Sequence, residues 1–153
     1  MRRRTVVAAM LLAVLPLIGC ADGPPEVALN LDSCEHCRMT ISDPRFAAAA
    51  TTSGGRTVRF DSIECMANWV NDHPDDWQKL WVTDATAPGT LLPIDGMRFH
   101  RGAEGSTPMG KGFAAVAATS APDAWDGPVL TWTELRSAVA SEGLAPQHQH
   151  GSR

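Results

Sequence analysis

Two short runs, residues 45–52 and 56–60, flank Ser53-Gly54-Gly55, and in the second of them Val58 and Phe60 alternate with polar neighbours. Alternation of period two beside a glycine turn predicts an antiparallel hairpin. The first run contains four consecutive alanines, which on propensity alone favour helix. Pro44 just ahead of the run and the glycines just after it leave a segment better suited to a strand. The pattern then changes period. Asp61 and Ser62 offer an N-cap, Glu64 puts a carboxylate in the first turn, and Ile63, Met66, Ala67 and Val70 recur at helical spacing until Pro74. On that helix Ile63, Ala67 and Val70 share a face, while Cys65 and Trp69 lie together on a neighbouring one. Cys65 is therefore expected off the centre of the core stripe, where it can face a sheet or a site.

Further strands are predicted over residues 79–84, 91–94, 97–100, 112–119 and 129–132. A last helix, capped by Thr131 or Thr133, runs through Leu135 and Val139 to Gly143. The order strand, strand, helix, strand is followed by a partial recurrence of itself. The economical architecture is α+β: two small β-rich halves, each with a helix packed on a short ββαβ-like sheet, divided at about 34–86 and 87–144.

The chain ahead of this domain has a different character. Arg2, Arg3 and Arg4 precede an apolar run over residues 6–18 that is short for a membrane span. The run ends in Leu17-Ile18-Gly19-Cys20, which resembles a bacterial lipobox. Residues 1–19 are then a lipoprotein signal peptide, Cys20 the lipidated residue, and residues 20–33 an anchor and tether to the bilayer on the periplasmic side of a bacterial membrane. Ordinary signal cleavage, leaving Cys20 as a stray thiol, is the plainer alternative. Residues 145–153, with His148 and His150, read as a flexible polar tail.

The net charge of −4, with the thirteen Lys and Arg scattered apart from the three at the extreme N-terminus, argues against a nucleic-acid partner. No phosphate loop, nucleophile elbow or HExxH motif is present. The expectation is a protein that is not an enzyme and has no small-molecule substrate. In an oxidising compartment Cys34, Cys37 and Cys65 form an odd set, so at least one thiol is left without a structural disulfide partner.

The stretch Cys34-Glu35-His36-Cys37-Arg38-Met39 collects soft donors, and thiolate with thioether favours Cu(I) over harder ions. In an extended arm the Cys37 and Met39 side chains would point to one side and could share an ion. Met109 sits in the glycine-bounded turn Thr107-Pro108-Met109-Gly110-Lys111-Gly112, where a core role explains it less easily. His100, with Met97 three residues before it, is a weaker candidate from the same half. Other uses of Cys34 and Cys37 remain open. A zinc site could be completed by Cys65 and one of His36, His73 or His100; the pair could form a disulfide, or do dithiol redox chemistry. A thioredoxin-type arrangement needs a long helix after the pair, and residues 40–44 do not support one. Asp61 has a sufficient role as a helix cap.

Taken in order, Cys34-x-x-Cys37-x-Met39-x-Ile41, Asp43-Pro44-Arg45-Phe46-Ala47-Ala48, Phe60-Asp61-Ser62-Ile63-Glu64-Cys65-Met66 and Pro108-Met109-Gly110-x-Gly112 resemble the NosL family of nitrous oxide reductase accessory lipoproteins. The resemblance spans most of the chain after the signal and agrees with the lipobox. It implies a two-part α+β fold like that of the organomercury lyase. It also implies a membrane-anchored periplasmic Cu(I) chaperone, with nitrous oxide reductase and its membrane assembly complex as partners in copper-centre maturation. Cys37 and Met39 match the family's C-x-M copper motif and Met109 its P-M-G methionine, with Cys34 and Cys65 as further candidate ligands. Arg38 departs from the pattern, which commonly has glycine there. The alternative reading is a periplasmic thiol/disulfide redox protein that uses Cys34 and Cys37 in copper-site assembly.

Overall fold

The alanine run is strand. In the computed structural model, which describes residues 23–103, 105–120, 125 and 127–143, β1 (Ala48–Thr51) lies between β2 (Thr57–Phe60) and β3 (Lys79–Thr83), antiparallel to both. Ala48 is opposite Phe60 on one side and Val82 on the other. Small side chains suit a central strand that other layers must approach closely. Ala48 and Ala50 belong to the main core, while Ala49 turns to the opposite face with Trp81 and Leu91. β4 (Leu91–Pro93) pairs with β3, so the first sheet runs β2-β1-β3-β4. The order of elements had suggested that residues 91–94 belong with the second half. They form an edge of the first sheet instead, and a 3-10 turn at Ile94–Gly96 leads out of it.

The second sheet has the order β6-β5-β7, from β5 (Met97–Arg101), β6 (Phe113–Ala117) and β7 (Val129–Leu130), all antiparallel. Helix α2 (Trp132–Glu142) follows at once. Of the two threonines offered as its cap, Thr131 is used: its hydroxyl accepts from the Glu134 N–H, and the Glu134 carboxylate accepts from the Thr131 N–H at 2.7 Å. That reciprocal pair is a capping box. Two antiparallel sheets with two helices make the α+β class expected from the sequence. Among the described residues no helix is long and apolar enough to cross a membrane. Residues 1–22, with Cys20, and 144–153, with His148 and His150, lie outside the described residues.

Helix α1 (Ile63–Asp72) starts where expected, with Ser62 as its cap accepting from the Cys65 N–H at 3.2 Å. Its surroundings differ from the one-sided helix that the spacing predicts. Ile63, Glu64, Cys65, Met66, Ala67, Trp69 and Val70 are all buried, because α1 packs on β1 and β2 and also on β6 and α2. A helix enclosed by two layers must bury polar positions too, and each then needs a partner.

Glu64 is the clearest case, with no exposure to solvent. Its Oε1 accepts from the Thr107 hydroxyl at 2.7 Å and from the Phe113 N–H at 3.1 Å, spanning from the first turn of α1 to the loop that enters β6. Burial raises its pKa, and the Thr107 hydroxyl and the Phe113, Ser62 and Met109 groups oppose that rise. The loop is tight: the Thr107 hydroxyl accepts from the Gly112 N–H at 3.0 Å. Gly112 has φ 78°, and a Cβ there would lie 2.7 Å from the Ala103 carbonyl oxygen. Only glycine fits such a position. Replacing Glu64 by Ala strands two buried donors, and the expected loss of stability in urea unfolding is about 3 kcal/mol.

Candidate metal centre

The arm that carries the first two cysteines is a small hairpin closed by a bridge between Ser33 and Thr40. Inside it the Cys34 N–H donates to the Met39 carbonyl at 2.8 Å and the Arg38 N–H to the Cys34 carbonyl at 3.0 Å. The Glu35 N–H donates to the Arg59 carbonyl at 2.8 Å, which fastens the loop to β2. Closing so short a loop requires one residue in the left-handed region, and Arg38 takes it with φ 65°. The extended arm that would aim Cys37 and Met39 to one side is therefore not formed.

The arm delivers Cys34 with no exposure and Cys37 half-buried. Cys65 arrives from the first turn of α1, also fully buried. The fourth member is Asp61. Ser62 does the capping, so the Asp61 side chain is released from the role the sequence suggested and turns inward, 4% exposed. One donor atom from each of Cys34, Cys37, Asp61 and Cys65 lies within 4.8 Å of every other. The Cys37 thiol donates to Asp61 Oδ2 at 3.4 Å, and Asp61 Oδ1 has no hydrogen-bond partner. The three cysteines are free thiols.

Four acidic groups in so small a volume cannot all ionise. The Cys34 pKa falls far below that of an ordinary thiol, because the Cys37 and Cys65 side chains lie within hydrogen-bonding reach of its sulfur, with further help from the Cys37 and Asp61 main chain. Charge on Cys34 then holds protons on the others. Cys37 is pushed up to about 12, chiefly by its bond to Cys34. Cys65 is pushed upward by its bonds to Cys34 and Cys37 and by burial. Asp61 rises to about 6, first through burial and then through the Cys34 charge. The metal-free cluster thus carries its first negative charge on Cys34, and any cation that enters replaces protons.

A sulfur to metal bond of about 2.3 Å puts tetrahedral donors about 3.8 Å apart, so small side-chain rotations would close this set on one ion. Three sulfurs suit Cu(I). All four donors would also suit tetrahedral zinc, with Asp61 in the place the sequence had offered to His36, His73 or His100. None of those histidines belongs to the cluster. His73 uses Nδ1 on the Trp69 carbonyl at 2.8 Å and stacks on the Trp69 ring. His100 is buried in β5, opposite Ala114 and Val129. Met109 is buried in the same core as Cys34 and Cys65. Met39, in contrast, is 42% exposed, with its main-chain N–H toward the Cys37 sulfur. Asp61 is the residue that sequence reasoning missed. The available signal was two consecutive capping residues before a helix that needs one.

No family model and no curated protein matches the chain. Among solved structures it is similar to the copper chaperone NosL from Shewanella denitrificans, with a TM-score of 0.54 and 18% identity over 72% of this chain and 96% of that one. The two share a fold. That finding agrees with the family resemblance carried by the sequence motifs.

Two outcomes follow from the local geometry. A side chain in the left-handed region costs roughly 1–2 kcal/mol, partly offset in glycine by lost chain entropy. Arg38 is largely exposed, and its ion pair with Glu35 is long at 3.8 Å, so Arg38→Gly should raise stability by about 1 kcal/mol in thermal unfolding. The second outcome concerns pH. Because the Asp61 pKa rises from 3.8 to about 6 on folding, the metal-free folded state binds the extra proton between those values. The Asp61 contribution is fully present below pH 3.8 and is lost as pH rises through about 6. Metal-free Asp61→Asn should therefore gain stability relative to wild type as pH increases from 4 to 7, as read by urea unfolding at each pH.

Proposed function

We propose that this chain is a membrane-anchored periplasmic Cu(I) chaperone that supplies copper for the maturation of nitrous oxide reductase. The meeting of Cys34, Cys37 and Cys65 at one point carries the reading. Three soft donors drawn from two distant stretches of chain make a site for a soft monovalent ion, and the shared fold of a solved copper chaperone supports it. Cu(I) is the cargo. It displaces the proton of Cys37 or Cys65, so that one monovalent cation replaces another and the net charge of the buried space is unchanged. Holding and passing an ion needs no bond-making in a substrate, so no catalytic group is assigned. Met109, buried in the same core, is a candidate additional sulfur donor, while His100 stands apart from the cluster. Lipid on Cys20 would hold the domain close to a membrane assembly complex, the proposed route to the reductase.

The alternative is a dithiol redox protein. Proximity of the free thiols and the thiolate character of Cys34 favour it as a second reading. Anaerobic titration with Cu(I) against bathocuproine disulfonate separates the two. The expected result is one Cu(I) retained per chain, with affinity reduced about 100-fold or more in Cys34→Ser and in Cys65→Ser. Failure of the wild-type protein to retain Cu(I), with rapid thiol loss to added disulfide, would favour the redox reading. Copper transfer from the loaded chain into copper-free nitrous oxide reductase tests the destination.

A further inference from the structure

We propose that Asp61 makes the cysteine cluster a four-donor site for a divalent thiophilic cation of the zinc and cadmium class, and so sets which metals the cluster accepts. This goes beyond the Cu(I) reading and does not rest on it. The Asp61 carboxylate carries the argument. Asp61 is 4% exposed, and its Oδ1 is buried without a hydrogen-bond partner. Its Oδ2 accepts from the Cys37 thiol at 3.4 Å, and the carboxylate also lies within hydrogen-bonding reach of the Cys34 and Cys65 side chains. It therefore faces all three cysteines. The helix does not call on it, because Ser62 holds the cap by accepting from the Cys65 N–H at 3.2 Å. A buried carboxylate oxygen without a donor is costly, and a bond to a cation removes that cost.

Cys34, Cys37, Asp61 and Cys65 each offer one donor atom, and these atoms all lie within 4.8 Å of one another. Three sulfurs and one oxygen around a common point make a tetrahedral set, and Zn(II) takes four ligands in that geometry from thiolate and carboxylate alike. Cu(I) selects the sulfurs and has little use for a hard carboxylate oxygen. The two ions thus draw on different subsets of one cluster, and Asp61 is where the subsets differ. None of His36, His73 and His100 belongs to the cluster, so the fourth donor is an anion. A divalent ion offsets two anionic donors where Cu(I) offsets one, which favours keeping the carboxylate among its ligands.

Binding is ligand exchange without redox change. Zn(II) gives up bound water, bonds form to the three sulfurs and to one Asp61 oxygen, and the thiol protons pass to solvent. The metal remains in the +2 state. Because the sulfurs are common to both subsets, zinc and Cu(I) compete for the chain.

The test uses the full chain in detergent micelles with its thiols reduced. Zn(II) is titrated against a chromophoric chelator, Cu(I) anaerobically against bathocuproine disulfonate, and Co(II) replaces zinc as a spectroscopic probe. The expected result is one Zn(II) retained per chain, and with Co(II) a tetrahedral visible spectrum with sulfur-to-metal charge transfer. Asp61→Asn keeps the shape of the side chain and removes its charge. Its Zn(II) affinity should fall about 100-fold or more, while its Cu(I) affinity stays within about threefold of wild type. Cys65→Ser should weaken both. Equal loss of both ions in Asp61→Asn would make Asp61 a positioning residue and overturn the proposal. Unchanged Zn(II) affinity in that variant overturns it as well, and so does a Co(II) spectrum without sulfur charge transfer, which would place the ion on histidines away from the cluster. Failure of the wild-type protein to retain Zn(II) has the same result. Zn(II) retention without Cu(I) retention supports this assignment and is the failure of the chaperone reading alone.

Discussion

Negative charge crowded among four acidic side chains governs this molecule. Cys34 keeps that charge because two thiols and two main-chain N–H groups point at its sulfur. The same charge holds Cys37 and Cys65 in their protonated forms and adds to the rise that burial gives the Asp61 pKa. Cys65 also stands in the first turn of α1, where the helix dipole favours an anion. That preference is overridden here by a charge already in place. Once a cation enters, the sign of the balance changes: the dipole and the main-chain donors then support every thiolate the cation creates. The site is consequently poised for metal by its own repulsion.

Holding the groups at that distance is the work of the fold. Cys34 and Cys37 come from a hairpin clipped to β2 through the Glu35 N–H and the Arg59 carbonyl, and Asp61 and Cys65 come from the junction of β2 with α1. Both sources hang on the same edge strand, so their separation is set by one piece of local structure. The alanine strand beside it lets α1 lie close to the sheet. Glu64, the neighbour of Cys65, then bonds α1 to the Thr107 and Phe113 segment, which ties the second half to the helix end that carries a cysteine. A buried carboxylate costs desolvation, and it is tolerated here because two donors meet it.

Most elements were legible because their signals are local. Ser62, Thr131 and Pro74 mark helix boundaries, and Gly54-Gly55 marks a turn, in ways that depend on a few neighbouring residues only. The cysteines too could be singled out by ligand chemistry. What could not be read depended on tertiary surroundings. The pattern along α1 describes a helix with one buried face, since Glu64 and Cys65 look like positions off the core, yet a second layer encloses them. Residues 91–94 follow a turn and precede another strand, and nothing in their composition says that they pair backward with β3. Asp61 is a sound cap by type. Its inward turn follows from Ser62 taking the cap, a competition between adjacent residues that composition does not decide.

Arg38 joins these levels. A glycine at this position would be free to adopt φ 65°, which gives a backbone reason for the residue common in the NosL pattern. The arm closes with arginine because its other bonds compel it: Cys34 to Met39, Arg38 to Cys34 and Glu35 to Arg59 are all main-chain contacts that do not depend on the Arg38 side chain. The strain is therefore borne by the loop as a whole and leaves the cysteine positions in place. The Arg38 guanidinium is largely exposed beside the arm's cysteines, with Glu35 shared between Arg38 and Arg56. These exposed charges are screened by salt, whereas those of the buried cluster behind them are screened much less, so salt acts on the arm's outer ion pairs before it acts on the cysteines.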